Sequence, residues 1–124
     1  MLEVEIKARC DDLGNIKKAI INAGGTFVST ELEDDSYFNH PSRDFGKTDE
    51  ALRIRKVKDM VFITYKGPKI GGKTKTRFER EVQILDAEAM LEILQRLGFV
   101  LYGRVQKKRD VYLLHDITIC CDDV

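Results

Sequence analysis

Apolar and charged residues alternate without a break at the start of the chain. Residues 2–8 read Leu, Glu, Val, Glu, Ile, Lys, Ala. Alternate side chains of a β-strand point to opposite faces, so the pattern predicts a strand over residues 2–9 with its apolar side facing a core. The other face of this strand would carry Glu3, Glu5 and Lys7.

Hydrophobic spacing along the rest of the chain predicts the order β-α-β, several strands, α, several strands. The predicted elements are a helix from Asp11 or Asp12 to about Ala23, an extended segment over 26–39, a loop over 40–44, and strands over 52–55 and 61–66. Then follow a flexible basic loop over 67–73, a strand over 76–84, a helix capped by Asp86 and ended by Gly98, and strands over 99–107, 109–114 and 117–122. Leu85 and Met90 are placed to form a hydrophobic staple at the second helix.

Composition adds little to this pattern but limits its interpretation. The 124 residues are 43% hydrophobic and 34% charged, as expected of one folded domain over residues 1–124. Lys+Arg and Asp+Glu both number 21. Without a global basic bias, a site for a polyanion must come from local segregation of charge.

The cysteines and the apolar runs bear on the compartment. The three cysteines are an odd number and Cys120 is adjacent to Cys121, so we expect reduced thiols rather than a disulfide framework. No signal segment begins the chain and no apolar run approaches the length of a membrane span. These patterns predict a cytoplasmic location without a membrane partner.

Charged residues recur with period two on the polar side of several predicted strands. The basic members are Lys7, Arg53, Arg55, Lys66, Arg77, Lys107 and Arg109, and the acidic members are Glu3, Glu5, Glu79, Glu81 and Asp122. If these faces point to one interior, they line a chamber with charges of both signs. Burying so many ions unpaired would cost several kcal/mol each, so the chamber must be wet, internally paired and able to hold a ligand.

Such a lining favours a metal–polyphosphate complex. Arginine and lysine match phosphate oxygens, and clustered carboxylates suit Mg²⁺ or Mn²⁺. The carboxylates would repel a nucleic-acid backbone, which argues against nucleic acid as a partner. Two alternatives stay open: a solvated sheet face with cross-strand ion pairs, and single-stranded nucleic acid stacked on Tyr65 and Phe78.

Other conspicuous residues are assigned structural roles. The acidic run over 31–35 is expected to be a solvated strand edge, and Tyr37 and Phe38 are expected to belong to the core. Lys69, Lys73 and Lys75 are expected in a solvated loop rather than in a lid over substrate.

Six segments in order resemble the CYTH, or triphosphate tunnel metalloenzyme, superfamily. They are Glu3-Val4-Glu5-Ile6-Lys7, Leu52-Arg53-Ile54-Arg55, Thr64-Tyr65-Lys66-Gly67, Arg77-Phe78-Glu79-Arg80-Glu81, Lys107-Lys108-Arg109 and Cys121-Asp122-Asp123-Val124. Segments 35–39 and 43–53 resemble most closely the class IV adenylyl cyclase (CyaB-like) branch.

The resemblance implies an α+β fold: an antiparallel eight-stranded tunnel with outer helices. It implies a triphosphate substrate (ATP, tripolyphosphate or thiamine triphosphate) held by the seven basic residues, with catalytic roles for Lys7, Arg53, Lys66 and Arg109. It further implies Mg²⁺ or Mn²⁺ at Glu3, Glu5, Glu79, Glu81 and Asp122. We expect conversion of ATP to cyclic AMP and pyrophosphate; the alternatives are an inorganic, thiamine or nucleoside triphosphatase and a non-catalytic nucleotide or polyphosphate binder.

The end of the chain departs from the family pattern. Family chains continue after the segment at Asp122 with a turn and a strand ending in Glu-x-Glu, which this sequence does not contain. We therefore expect a tunnel that is incomplete at its C-terminal side. Open barrels expose unpaired strand edges, so we also expect a homodimer.

Overall fold

A computed structural model describes residues 2–5, 10–71 and 75–124, and the side chains of 10–71 and 76–124. The helices are α1 (Leu13–Asn22), α2 (Phe45–Thr48) and α3 (Ala87–Arg96). The strands are β1 (Leu2–Glu5), β2 (Thr26–Asn39), β3 (Ala51–Val57), β4 (Met60–Ile70), β5 (Lys75–Ile84), β6 (Val100–Leu114) and β7 (Ile117–Asp123).

All seven strands form one curled antiparallel sheet in the order β1-β5-β4-β3-β2-β6-β7. Consecutive strands are joined as hairpins at β3–β4, β4–β5 and β6–β7, whereas β2 pairs with β6 across a long sequence separation. The α+β fold with an antiparallel sheet is as predicted. The part of the chain that the structure describes supplies seven strands of the expected eight, with β1 and β7 outermost.

Both long helices begin where the sequence predicts. The Asp12 side chain accepts a hydrogen bond from the Asn15 backbone N–H at 3.1 Å, and Asp86 accepts one from the Ala89 N–H at 3.1 Å. Such caps satisfy backbone donors that the first helical turn leaves unpaired. The predicted staple is wrong, because Leu85 is fully exposed.

The apolar core lies on the outer face of the sheet, beneath the helices. Phe38 and Ile54 of the sheet pack against Leu94 of α3, and Ile20 of α1 packs against Tyr112. Phe38 is thus a core residue, as expected. Among the described residues, no helix reaches the length and apolarity that a membrane crossing requires.

The predicted basic loop over 67–73 is largely wrong. Strand β4 continues to Ile70, and its pairing with β5 is irregular between Lys66 and Lys69. A bulge of this kind tolerates Pro68, which cannot donate a hydrogen bond to a regular ladder. Lys69 forms an ion pair with Asp49 at 3.0 Å, while Lys73 and the Lys75 side chain lie outside the described residues.

The acidic run over 31–35 is not a solvated edge. Strand β2 lies in the middle of the sheet between β3 and β6, and the side chains alternate between its faces. Glu33 and Asp35 are therefore buried, with 4% and 0% of their surface exposed. They face the cations of the neighbouring strands.

Candidate triphosphate site

The inner face of the curled sheet encloses a charged cavity of about 310 Å³. The residues that line it are Tyr37, Ala51, Arg53, Arg55, Thr64, Lys66, Arg77, Glu79, Glu81, Lys107 and Arg109. They come from β2, β3, β4, β5 and β6 because cross-strand partners share a face: Arg53 is opposite Thr64, and Thr64 is opposite Glu81.

The structure brings together most of the residues that sequence reasoning placed in one chamber. Six of the seven predicted basic residues line the cavity, as do Glu79 and Glu81. Lys7 lies outside the described residues, and so do the side chains of Glu3 and Glu5; the backbone pairing of β1 sets Glu3 opposite Arg77. The alternative of a solvated charged face is wrong, because Arg53 is only 7% exposed.

One side of the cavity wall consists of closed ion pairs. Arg55 donates from Nε and Nη2 to the two carboxylate oxygens of Asp35, both at 2.8 Å, and its Nη2 lies 3.2 Å from Glu33. Burial by itself would raise the pKa of Asp35, but the hydrogen bonds and charge of Arg55 outweigh it and hold that pKa below its usual value. The guanidinium of Arg55 is thus fixed in a planar two-pronged contact.

A second closed pair joins β6 to β7. Arg109 donates to the two oxygens of Asp122 at 2.7 and 2.8 Å, and Lys107 lies 3.3 Å from the same carboxylate. These contacts lower the pKa of Asp122 and raise that of Arg109. Glu33 lies 3.6 Å from Lys107 and 3.7 Å from Arg109, so it is shared by both closed pairs.

On the other side of the cavity, Arg53 is held loosely. Arg53 Nη2 lies 3.6 Å from Glu81 and 4.0 Å from Glu79, and Lys66 Nζ lies 3.9 Å from Glu79. The Nε of Arg53 is buried and has no hydrogen-bond acceptor among the described residues. A buried donor without an acceptor is costly, and an anion in the cavity would satisfy it.

Arg77 connects the cavity to the segment around α2. Its Nε donates to the Gly67 carbonyl at 2.6 Å and its Nη2 to the Asp49 carbonyl at 2.7 Å. Next to it, Glu50 accepts two hydrogen bonds from Arg43 at 2.9 and 3.0 Å and one from the Tyr65 hydroxyl at 2.6 Å. These bonds lower the pKa of Glu50 from 4.5 to about 2.

Sequence reasoning missed three residues of this wall: Glu33 and Asp35, and Tyr37, which lines the cavity instead of lying in the core. Their period-two spacing is the same signal that identified Arg53 and Arg55. The pairing of Asp35 with Arg55 and of Tyr37 with Arg53 puts the two sets on one face.

The donor set fits a divalent cation in part. Glu79 and Glu81 supply the carboxylate oxygens that Mg²⁺ and Mn²⁺ prefer. The described side chains contain no group of three His, Cys, Asp or Glu residues that could hold a metal ion. Asp122, also predicted as a ligand, binds Arg109 and Lys107 instead.

Comparison with known proteins agrees with this architecture. The CYTH domain matches residues 1–124. A Methanocaldococcus jannaschii protein provisionally named an adenylate cyclase (MJ0240) is 44% identical over 124 residues, which are the whole of this chain and 71% of that protein.

Solved structures share the fold. The PH1819 protein from Pyrococcus horikoshii OT3 is 39% identical with a TM-score of 0.82, over 98% of this chain and 68% of that one. HpAC1 from Hippeastrum, described as an adenylyl cyclase candidate with a dominant triphosphatase activity, has a TM-score of 0.67 at 16% identity, over 96% of this chain and 69% of its own. The match along its whole length and the sheet that encloses a cationic cavity place this chain in the CYTH domain family.

Proposed function

We propose that this protein is a metal-dependent enzyme acting on a triphosphate, with the adenylyl cyclase reaction as its first candidate activity. The observation that carries the proposal is the cavity itself, in which six cationic side chains converge with Glu79 and Glu81. The name of the Methanocaldococcus jannaschii relative supports the cyclase reaction.

The two sides of the cavity have different tasks in this proposal. Arg53 Nη2 lies 3.6 Å from Glu81 and 4.0 Å from Glu79, which is longer than a close ion pair, so phosphate oxygens can replace those contacts at little cost. Arg55 and Arg109 are held by carboxylates, which fix the positions of their guanidinium groups beside the cavity. Preorganised charge of this kind stabilises a transition state without reorganising during the reaction.

The carboxylates account for the metal requirement. Glu79 and Glu81, joined by Glu3 and Glu5, would hold Mg²⁺ or Mn²⁺. When bound, such an ion neutralises phosphate charge and lowers the pKa of the attacking oxygen. The Thr64 hydroxyl donates to Glu81 at 2.8 Å and thereby orients that carboxylate toward the cavity.

Two reactions suit this arrangement. In the cyclase reaction the ribose 3′-oxygen bonds to the α-phosphorus, the bond from that phosphorus to the bridging oxygen breaks, and pyrophosphate leaves as the hydroxyl proton passes to solvent. In the triphosphatase reaction a water oxygen bonds to the terminal phosphorus, the bond from that phosphorus to the bridging oxygen breaks, and orthophosphate and a diphosphate leave as a water proton passes to solvent. The second candidate is favoured by HpAC1, a protein of the same fold described as a dominant triphosphatase.

Turnover of ATP and of tripolyphosphate with Mg²⁺, with products separated, tests the proposal. Arg53→Gln should lower kcat/KM about 30- to 1000-fold, the usual effect of losing one preorganised donor. Arg104→Gln is the matched control, because Arg104 is exposed and contacts Asp34 outside the cavity. Cyclic AMP with pyrophosphate establishes the cyclase and orthophosphate the triphosphatase; no turnover of either substrate by the folded chain contradicts the proposal.

A further inference from the structure

An aromatic side chain, Tyr37, lies beside the loosely held Arg53. Tyr37 lines the cavity and is the register partner of Arg53 on the neighbouring strand. In the proposed function, phosphate bound by Arg53 would lie within one strand spacing of an aromatic ring. The mechanism described above does not use this ring.

A bulge brings a second ring to the same place. The pairing of β2 with β6 shifts between Tyr37 and Phe38, which are opposite Gly103 and Leu101, so Tyr102 is the extra residue. Bulges redirect side chains near functional sites. Here the rings of Tyr37 and Tyr102 lie 6.4 Å apart with a tilt of 42°, and Tyr102 remains 63% exposed.

The space next to the rings is open. Gly103 is the register partner of Tyr37 on β6, and a Cβ atom added at Gly103 would meet no atom within 4 Å. Since register partners share a face, a larger side chain at Gly103 would enter the space that borders Tyr37. A planar group attached to a bound triphosphate could occupy that space.

We propose that Tyr37 stacks on a planar heteroaromatic group carried by the triphosphate and that Tyr102 supports it. This inference rests on the proposed function. The preferred substrate is then an organic triphosphate, a nucleoside or thiamine triphosphate, rather than inorganic tripolyphosphate. Base–aromatic stacking tolerates any flat ring because every base offers a π-face. Tyr37 is thus a specificity residue, and the cations carry the phosphate affinity common to all these ligands.

Dissociation constants for ATP, thiamine triphosphate and tripolyphosphate test this inference on the full chain with Mg²⁺. Tyr37→Leu should weaken binding of one organic triphosphate about 5- to 100-fold, as loss of a stacking ring does, with tripolyphosphate affinity unchanged within about twofold. The organic triphosphate whose affinity falls in Tyr37→Leu identifies the planar group that stacks on Tyr37, either a nucleobase or a ring of thiamine. Tyr37→Phe keeps the ring and should bind like the wild type.

Two further variants are needed: Gly103→Val tests the open space, and Phe27→Leu is the control. Gly103→Val fills the open space without removing a ring and should also discriminate against the organic triphosphate. Phe27 is half exposed, its ring centroid lies 5.5 Å from that of Tyr112, and it does not line the cavity. Phe27→Leu should therefore leave the affinity for all three ligands unchanged. Because the chain contains no Trp and only four Tyr, quenching of tyrosine fluorescence gives an independent readout of stacking.

The outcomes separate this inference from the proposed function. The stacking role is overturned if Tyr37→Leu changes the dissociation constants of all three ligands equally or changes none of them. The proposed triphosphate site is unaffected by that result. The same holds if the wild type binds tripolyphosphate but neither organic triphosphate. If the wild type binds no triphosphate at all, both proposals are overturned.

Discussion

Individual ion pairs divide the cavity wall into a fixed part and a responsive part. Asp35 is fully buried and meets Arg55 at 2.8 Å, whereas Arg53 contacts Glu81 only at 3.6 Å. Removing one partner of a buried pair leaves an uncompensated charge in a poorly solvated place. Replacing a long contact with a ligand contact has no such cost.

Asp35→Ala should lower the free energy of unfolding by up to about 3–5 kcal/mol, because it removes the carboxylate that accepts both hydrogen bonds of the Arg55 guanidinium and leaves Glu33 at 3.2 Å as the neighbouring acid. Asp34→Ala is the matched control on the opposite face of β2, where Asp34 pairs with the exposed Arg104; exposed pairs contribute only about 0–1 kcal/mol. Urea unfolding of the two variants measures both effects. Equal losses would contradict the distinction between the two faces.

Glu50 should make stability depend on acid pH. Its folded pKa of about 2 lies below the ordinary value of 4.5 because Arg43 and Tyr65 donate hydrogen bonds to it. The stabilisation is therefore fully present above about pH 4.5 and is lost as the pH falls through the folded value.

Urea midpoints of wild type and Glu50→Gln at about pH 6 and pH 2.5 measure this contribution, and the variant should lose less stability than the wild type. Glu92→Gln is the control, because Glu92 is exposed and its ion pair with Arg96, at 3.8 Å, lies on the helix surface. An equally steep loss in wild type and Glu50→Gln would show that Glu50 is not the group responsible.

At the scale of elements, signals between residues near each other in sequence predicted most helices and strands. The order of the strands in the sheet depends on pairing between distant segments. The capping aspartates and apolar spacing located α1 and α3 because both signals act within a few residues. The position of β2 within the sheet depends on pairing with β6, which local pattern does not encode. The acidic run was therefore misplaced, although its alternation was visible, and the four-residue α2 was too short for periodicity to reveal.

Leu94 is the buried residue of helix α3 and should contribute strongly to the attachment of the helix. Leu94 is buried against Phe38 and Ile54, so Leu94→Ala should lower the free energy of unfolding by about 2–5 kcal/mol. The neighbouring Ile93 is half exposed, and Ile93→Ala should stay within about 0.5 kcal/mol of the wild type. Thermal or urea unfolding distinguishes these results, and a large loss in the Ile93 variant would contradict the observed orientation of α3.

The whole molecule places charge inside the sheet and apolar contacts outside it. The predicted chamber of charges follows from period-two alternation. Its division into closed and loose pairs could not be predicted, because it depends on differences of about 1 Å between contact distances. The sheet order leaves β1 and β7 outermost in the part of the chain described here. The homodimer expected from the sequence stays a prediction at this scale.

Light scattering coupled to gel filtration should give twice the 14.2 kDa of one chain, because an outer strand with unpaired backbone groups favours pairing with a second copy. Ile117 of β7 is exposed, and Ile117→Lys should shift the population toward monomer, since edge lysines oppose such pairing. A wild-type mass of one chain would contradict the expected dimer.

The central place of β2 has a consequence for the order of events in folding. The carboxylate of Glu33 draws its cations from Arg55 on β3 and from Lys107 and Arg109 on β6, and β6 is synthesised some 70 residues after β2. Until β6 arrives, β2 carries a row of mutually repelling acids beside an open edge, and such long-range pairing is slow. Stopped-flow refolding should therefore show a main phase limited by the docking of β6, and moderate salt should slow it by screening the attraction between the acids of β2 and the cations of β6.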